Sequence, residues 1–151
     1  MTLPTLDQNA AQYAQKIIKK AKESSQQERL DAFVTKVLAV LQEQGVYACM
    51  LFLYSRSDTE KPKARIIREV LREILQMLKE KYGILWKKEN KTLEVPRSAE
   101  RDDTSADVLN FYADAVVADL DTLLLVRDLY EQTLIYARYA AKAEGNKETG
   151  G

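Results

Sequence analysis

Residues 44–57 read QGVYACMLFLYSRS, and nine consecutive apolar side chains, Val46 to Tyr54, carry the one cysteine of the chain. A membrane anchor, a buried strand, a reactive site and a core helix all begin with such a run, so its reading decides the fold. A spanning helix needs roughly 20 apolar residues, and this run is stopped by Ser55 and Arg56. The run shows no polar alternation, and the flanking segments on both sides are helical in period. A lone buried strand would lack a hydrogen-bonding partner in this half of the chain. A helix apolar on nearly every face belongs at the centre of a bundle, and that is the reading adopted.

The chain has 151 residues, 46% hydrophobic and 30% charged, with five glycines and three prolines. That length suits one domain with a real core, and so little glycine and proline biases the fold toward helix. The predicted class is all-α: a single-domain bundle of about five to six helices over residues 1–144, with a frayed tail at 145–151. One cysteine forms no internal disulfide, and the amino terminus lacks the charged-then-apolar order of a signal peptide, so the expected location is cytoplasmic, with no membrane partner.

Helical periodicity marks residues near 5 to 23, with Ala10, Ala14, Ile17, Ile18 and Ala21 inward. Ser25 with Glu28 is a capping-box pattern for a second helix carrying Leu30, Phe33, Val34, Val37, Leu38 and Leu41. Gly45 stands where a left-handed C-terminal cap is expected. Pro62 is well placed to open a third long helix ending at Tyr82 and Gly83, with Ile66, Ile67, Val70, Leu71, Ile74, Leu75 and Leu78 inward. After it, "ILWKKENKTLEV" admits a small β-hairpin near 84–95, turning at Glu89-Asn90. "PRSAERDDTS" reads as a mobile loop. Two helices follow, near 105 to 118 and from about Asp121 to Ala143, the latter with Leu124, Leu125, Leu129, Leu134 and Tyr136 inward.

Formal charge sums to zero, yet residues 1–91 carry 17 Lys+Arg against 11 Asp+Glu and residues 92–151 carry 6 against 12. Such a dipole suits a basic surface that meets phosphate and an acidic one that meets protein, or copies of one chain stacked head to tail.

The chain has no histidine, which removes Ser-His and Cys-His mechanisms and the commonest metal ligand. Cys49, among Met50, Leu51 and Phe52, has no basic neighbour in sequence and reads as an inert buried thiol. Asp102, Asp103, Asp107, Asp114, Asp119, Asp121 and Asp128 together suggest a Mg²⁺-dependent nuclease, but helix caps and a solvated face account for them. No glycine-rich phosphate loop is present. No catalytic residue, metal, cofactor or small-molecule substrate is therefore expected.

Two features are left as candidate sites. Lys61, Arg65, Arg68, Arg72 and Lys79 share an arc of the third long helix, and with Lys16, Lys19, Lys20, Arg56 and Lys63 they form a candidate contact for a phosphate backbone. The competing view is an ordinary solvated face held by pairs such as Arg65 with Glu69. Tyr130, Tyr136 and Tyr139 either stack on bases or serve packing, and packing is the more usual role of helical aromatics. Tyr136, Tyr139 and Trp86 are the candidate protein-interface residues.

An amphipathic first helix ("NAAQYAQKIIKKAKE"), a helix ending in glycine and running into an apolar segment ("LAVLQEQGVYACMLFLYSR"), and a closing Tyr/Ala-rich helix ("LVRDLYEQTLIYARYAAKA") resemble the small helical subunit of the type III-B (Cmr) CRISPR effector complex. The likeness covers most of the chain and rests on residue class. It departs in "GILWKKENKTLEVPRSAERDDTS", an insertion-like stretch, and in tyrosine where a tryptophan is often seen near the end. The resemblance implies an all-α, non-catalytic subunit of an RNA-guided complex that stacks beside other subunits, copies of itself and guide or target RNA, while another subunit cuts. By position, Gly45 and "VYACMLFL" match the core segment, and the first-helix lysines with Arg65, Arg68 and Arg72 would face nucleic acid or a neighbouring copy. The alternative is a helical adaptor that binds only protein, with Trp86 as an exposed anchor.

Overall fold

The structure is a computed structural model that describes residues 5–97 and 105–150, with side chains as far as Gly145. Its elements are α1 (Leu6–Glu23), α2 (Leu30–Gln44), α3 (Val46–Tyr54), α4 (Lys61–Tyr82), β1 (Trp86–Lys88), β2 (Lys91–Leu93), α5 (Ser105–Phe111) with a π-helical turn (Tyr112–Val116), and α6 (Leu120–Gly150). The all-α bundle with a small antiparallel hairpin is thus observed. No helix among the described residues is long and apolar enough to cross a membrane.

Thr5 opens α1 with a capping box: its hydroxyl accepts from the Gln8 N–H at 3.0 Å, and the Gln8 side chain accepts from the Thr5 N–H at 2.8 Å. Ser25 does not cap α2 as expected. It lies in the left-handed region, φ 58°, and closes α1: its N–H donates to Lys22 O at 3.2 Å and the Gln26 N–H to Ala21 O at 2.7 Å. That pair of bonds is a Schellman ending with serine where glycine is usual. The serines are consumed by the helix before them, and α2 starts at Leu30 without a side-chain cap, behind a left-handed Arg29.

Gly45 joins α2 directly to α3 with φ 98° and ψ −176°. This is the extended mirror region, open essentially to glycine alone, not the left-handed helical region expected. The left-handed cap occurs at Gly83, φ 70° and ψ 18°, which ends α4. Pro62 lies in the first turn of α4, where a missing N–H costs nothing.

Contacts fix the directions of the long helices. Asn9 meets Tyr82, Lys16 meets Glu73 and Lys20 meets Glu69, so α1 and α4 run antiparallel. Tyr136 reaches Asp7 and Lys22 reaches Glu144, so α6 runs parallel to α1. Helix α2 lies along α6, and Arg127 Nη2 donates to Gln42 O at 3.1 Å. Helix α3 contributes Val46, Cys49, Met50 and Leu53 to the core, while Tyr47 and Leu51 are exposed on its outer face. It is therefore covered on one broad side, not all round.

The hairpin pairs Trp86 with Leu93 and Lys88 with Lys91, turning at Glu89-Asn90 as the spacing allowed. It folds back on the π-helical turn. Trp86 is 1% exposed and meets Phe111 edge to face at 5.8 Å. Its Nε1 has no hydrogen-bond partner among the described residues. A Trp buries up to ~250 Å², worth about 6 kcal/mol, against about 1–3 kcal/mol for one unpaired donor, so burial wins. Helix α6 continues past the expected Ala143 to Gly150. The predicted loop at 96–105 falls largely on residues 98–104, outside the described residues.

Replacing Gly45 by Ala meets no neighbouring atom within 4 Å, so its cost is backbone strain alone, about 1–3 kcal/mol. Ser25→Gly relieves a left-handed serine and is expected to stabilise by about 1 kcal/mol. Denaturant unfolding of both variants checks the pair, which should differ in sign.

Candidate nucleic-acid interface

Nine apolar positions of α4 face the core and set the roll of that helix. The roll in turn decides where each cation of the predicted arc lies. Arg68 is not on the surface: it is 1% exposed, and its guanidinium sits 4.1 Å from the centre of the Tyr54 ring. Arg72 is half-buried, with Nε donating to Pro96 O at 2.8 Å, so it braces the chain after β2. The helical wheel places these arginines beside Arg65, but a wheel carries no information on which flank α3 and the segment after β2 will cover.

The remaining predicted cations reach the surface in differing states. Lys16 pairs with Glu73 at 3.2 Å, and Lys20 with Glu69 at 2.8 Å. The Glu69 hydrogen bond raises the Lys20 pKa. The acidic strip of α4 thus answers the lysines of α1 across the interhelical seam. Lys61 pairs with Asp58 at 3.2 Å, and Lys79 with Glu94 at 2.7 Å. The lysine contact holds the Glu94 carboxyl below its ordinary range. Arg56 lies over the Phe52 ring at 3.5 Å and contacts Glu60 at 3.4 Å. Lys19 and Arg65 are exposed. Lys63 donates to Gln26 Oε1 at 3.3 Å.

Most of these groups meet at one end of the bundle, where α1 finishes and α2 and α4 begin. The Lys63–Gln26 bond and the Lys36–Glu60 pair at 3.0 Å tie those three elements together there. Arg72 and Lys79 lie farther along α4, outside that cluster. Arg29 and Lys36, which the sequence reading passed over, complete it. Both line a groove of about 220 Å³ with Thr59, Glu60 and Lys63. Lys36 lies on α2 and Arg29 in the left-handed residue before it, so helical spacing gave no signal for the pair.

The three candidate interface aromatics separate. Trp86 is core, which removes it as an exposed anchor. The Tyr136 hydroxyl donates to Asp7 Oδ1, pinning α6 to the start of α1, and this bond raises the phenol pKa. Tyr139 is 63% exposed, and Leu120 and Leu124 are exposed on the same helix. Leu124 is thus surface rather than inward.

The acidic candidates have structural roles. Asp119 accepts from the Thr122 N–H and hydroxyl at the start of α6, which lowers its pKa. Asp114 pairs with Lys88 at 3.2 Å, and Asp107 and Asp121 stand in first helical turns. Asp102 and Asp103 lie outside the described residues. Among the described residues no three Cys, Asp or Glu side chains group as a metal ion would require. No family model, curated protein or solved structure matches this chain.

Cys49 is fully buried, and burial pushes its pKa from 9.0 to about 12. The unfolded thiol ionises at its ordinary value, so the folded state holds the extra proton between those limits. Stability should therefore decline as pH rises from about 9 toward 12, and less steeply in Cys49→Ala. Below pH 9, iodoacetamide should modify Cys49 only as fast as the chain opens, which mass spectrometry in rising denaturant would check.

Proposed function

We propose that this chain is a non-catalytic, cytoplasmic subunit of a type III-B RNA-guided antiviral complex, packing against other subunits and copies of itself and touching the backbone of guide or target RNA. The observation that carries this is the gathering of Lys19, Lys20, Arg29, Lys36, Arg56, Lys61, Lys63 and Arg65 at the end of the bundle where α1, α2 and α4 meet. Cations spread over an edge suit phosphates, which position a protein without reading sequence. The role without catalysis is supported by the absence of histidine and the inaccessibility of Cys49. The resemblance of the Gly45–Tyr54 segment and of the first and closing helices to the small Cmr subunit names the complex. Exposed Leu120, Leu124 and Tyr139, on the acidic half, are the contacts offered to neighbouring subunits.

One observation favours a protein-only helical adaptor instead. Lys16, Lys20, Lys61 and Lys79 are all committed to acids of the same chain, and Arg68 is buried. Surface pairs of this kind contribute little stability, about 0–1 kcal/mol each, so a phosphate can compete for the lysines.

The two readings part on salt dependence. Lys19→Glu with Arg65→Glu is expected to weaken binding of a single-stranded oligoribonucleotide about tenfold and to flatten the log Kd against log salt slope by roughly 1.4, two contacts at about 0.7 each. Fluorescence anisotropy on the chain and on the assembled complex measures both. An adaptor binds no RNA in either state, even at low salt.

A further inference from the structure

We infer that the groove between α2 and the α3–α4 connection is a seat for one phosphodiester of a single RNA strand, held by Arg29, Lys36 and Lys63. The assignment rests on the RNA-contacting role proposed above and adds a defined subsite to it.

The groove holds about 220 Å³, with Arg29 and Lys36 on the α2 side, Thr59, Glu60 and Lys63 on the other, and Phe33 beneath. Three cations thus face one acid. Glu60 is already committed to Lys36 at 3.0 Å and Arg56 at 3.4 Å, and these contacts depress its pKa, the Lys36 hydrogen bond most. Its charge is balanced from within the protein. Arg29 has no ion-pair partner among the described residues, and the Lys63 ammonium has only the neutral Gln26 amide oxygen at 3.3 Å. Glu28 and Asp31 flank Arg29 in sequence but do not line the groove.

Two positive charges on opposite walls therefore lack an anion, and a phosphodiester brings one charge spread over two outward oxygens. The Thr59 hydroxyl adds a neutral donor, and the apolar floor suits the carbon face of a ribose. A repeating polyanion fits better than an isolated carboxylate, because three cations line the groove and a fourth, Arg56, meets Glu60 at its wall. Arg29 keeps a left-handed backbone, φ 59°, where glycine would be more comfortable. From this position its side chain lines the groove.

That same backbone supplies a clean test, since Arg29→Gly removes the charge while relaxing the chain. The double variant Arg29→Gly, Lys63→Gln should melt no lower than the parent yet bind a short oligouridylate about fivefold more weakly, with a salt slope flatter by roughly 1.4. Changing exposed Lys87 and Lys91 of the hairpin to Gln should alter neither. In ¹⁵N-labelled protein at low salt, oligouridylate should shift amides of residues 29–36 and 59–63. Shifts confined to residues around Lys19 and Arg65 would overturn the groove and leave the RNA role standing. No shift anywhere would overturn both. Oligoglutamate of equal charge producing the same shifts more tightly would replace RNA by an acidic protein partner and defeat the assignment.

Discussion

The burial of the Val46–Tyr54 run is the constraint on which the other helices depend. Helix α3 touches α2, α4, α5 and α6, and it has no charged side chain to spend on solvent. Gly45 lets it start in the residue after α2 closes, so α3 folds straight back along its predecessor. Nine residues at 1.5 Å each return the chain by about 13 Å. The α3–α4 connection therefore arrives level with Lys36, which meets Glu60. The basic end of the molecule is a geometric consequence of how long the apolar run is.

Charge then distributes itself within limits set by packing. The surplus of Lys+Arg over Asp+Glu in residues 1–91 was visible in the sequence, but much of it is answered locally. Lysines of α1 reach across to carboxylates of α4, Lys16 to Glu73 and Lys20 to Glu69. Among the described residues, Arg29 and Lys63 of the groove make no ion pair. The acidic half offers helix caps and exposed apolar side chains.

The interior contains polar atoms, and they are organised for rigidity. Tyr112 and Tyr130 share a hydrogen bond through their hydroxyls, and Tyr130 also donates to Leu71 O at 3.2 Å. Burial raises the pKa of both phenols. The π-helical turn, whose Val117 N–H bonds to Tyr112 O at 2.9 Å, delivers Tyr112 to this position. Together with the α3 core, this ties α4, α5 and α6 into one unit.

Sequence by itself determined the class, most helix bounds, the core positions of α1, α2 and α4, the hairpin turn and the burial of Cys49, because those follow from local periodicity and special residues such as Gly45, Pro62 and Gly83. Tertiary structure alone decided which cations reach the surface. A helical wheel places Arg65, Arg68 and Arg72 on one arc, yet only the approach of α3 and of the segment after β2 buries the second under Tyr54 and ties the third to Pro96. Arg29 and Lys36 join Lys63 through contacts between residues far apart in the chain, and Trp86 goes inward because the hairpin has a π-helical turn to close upon. Periodicity reports which side of a helix is apolar; it says nothing about what a neighbouring element will cover on the other side.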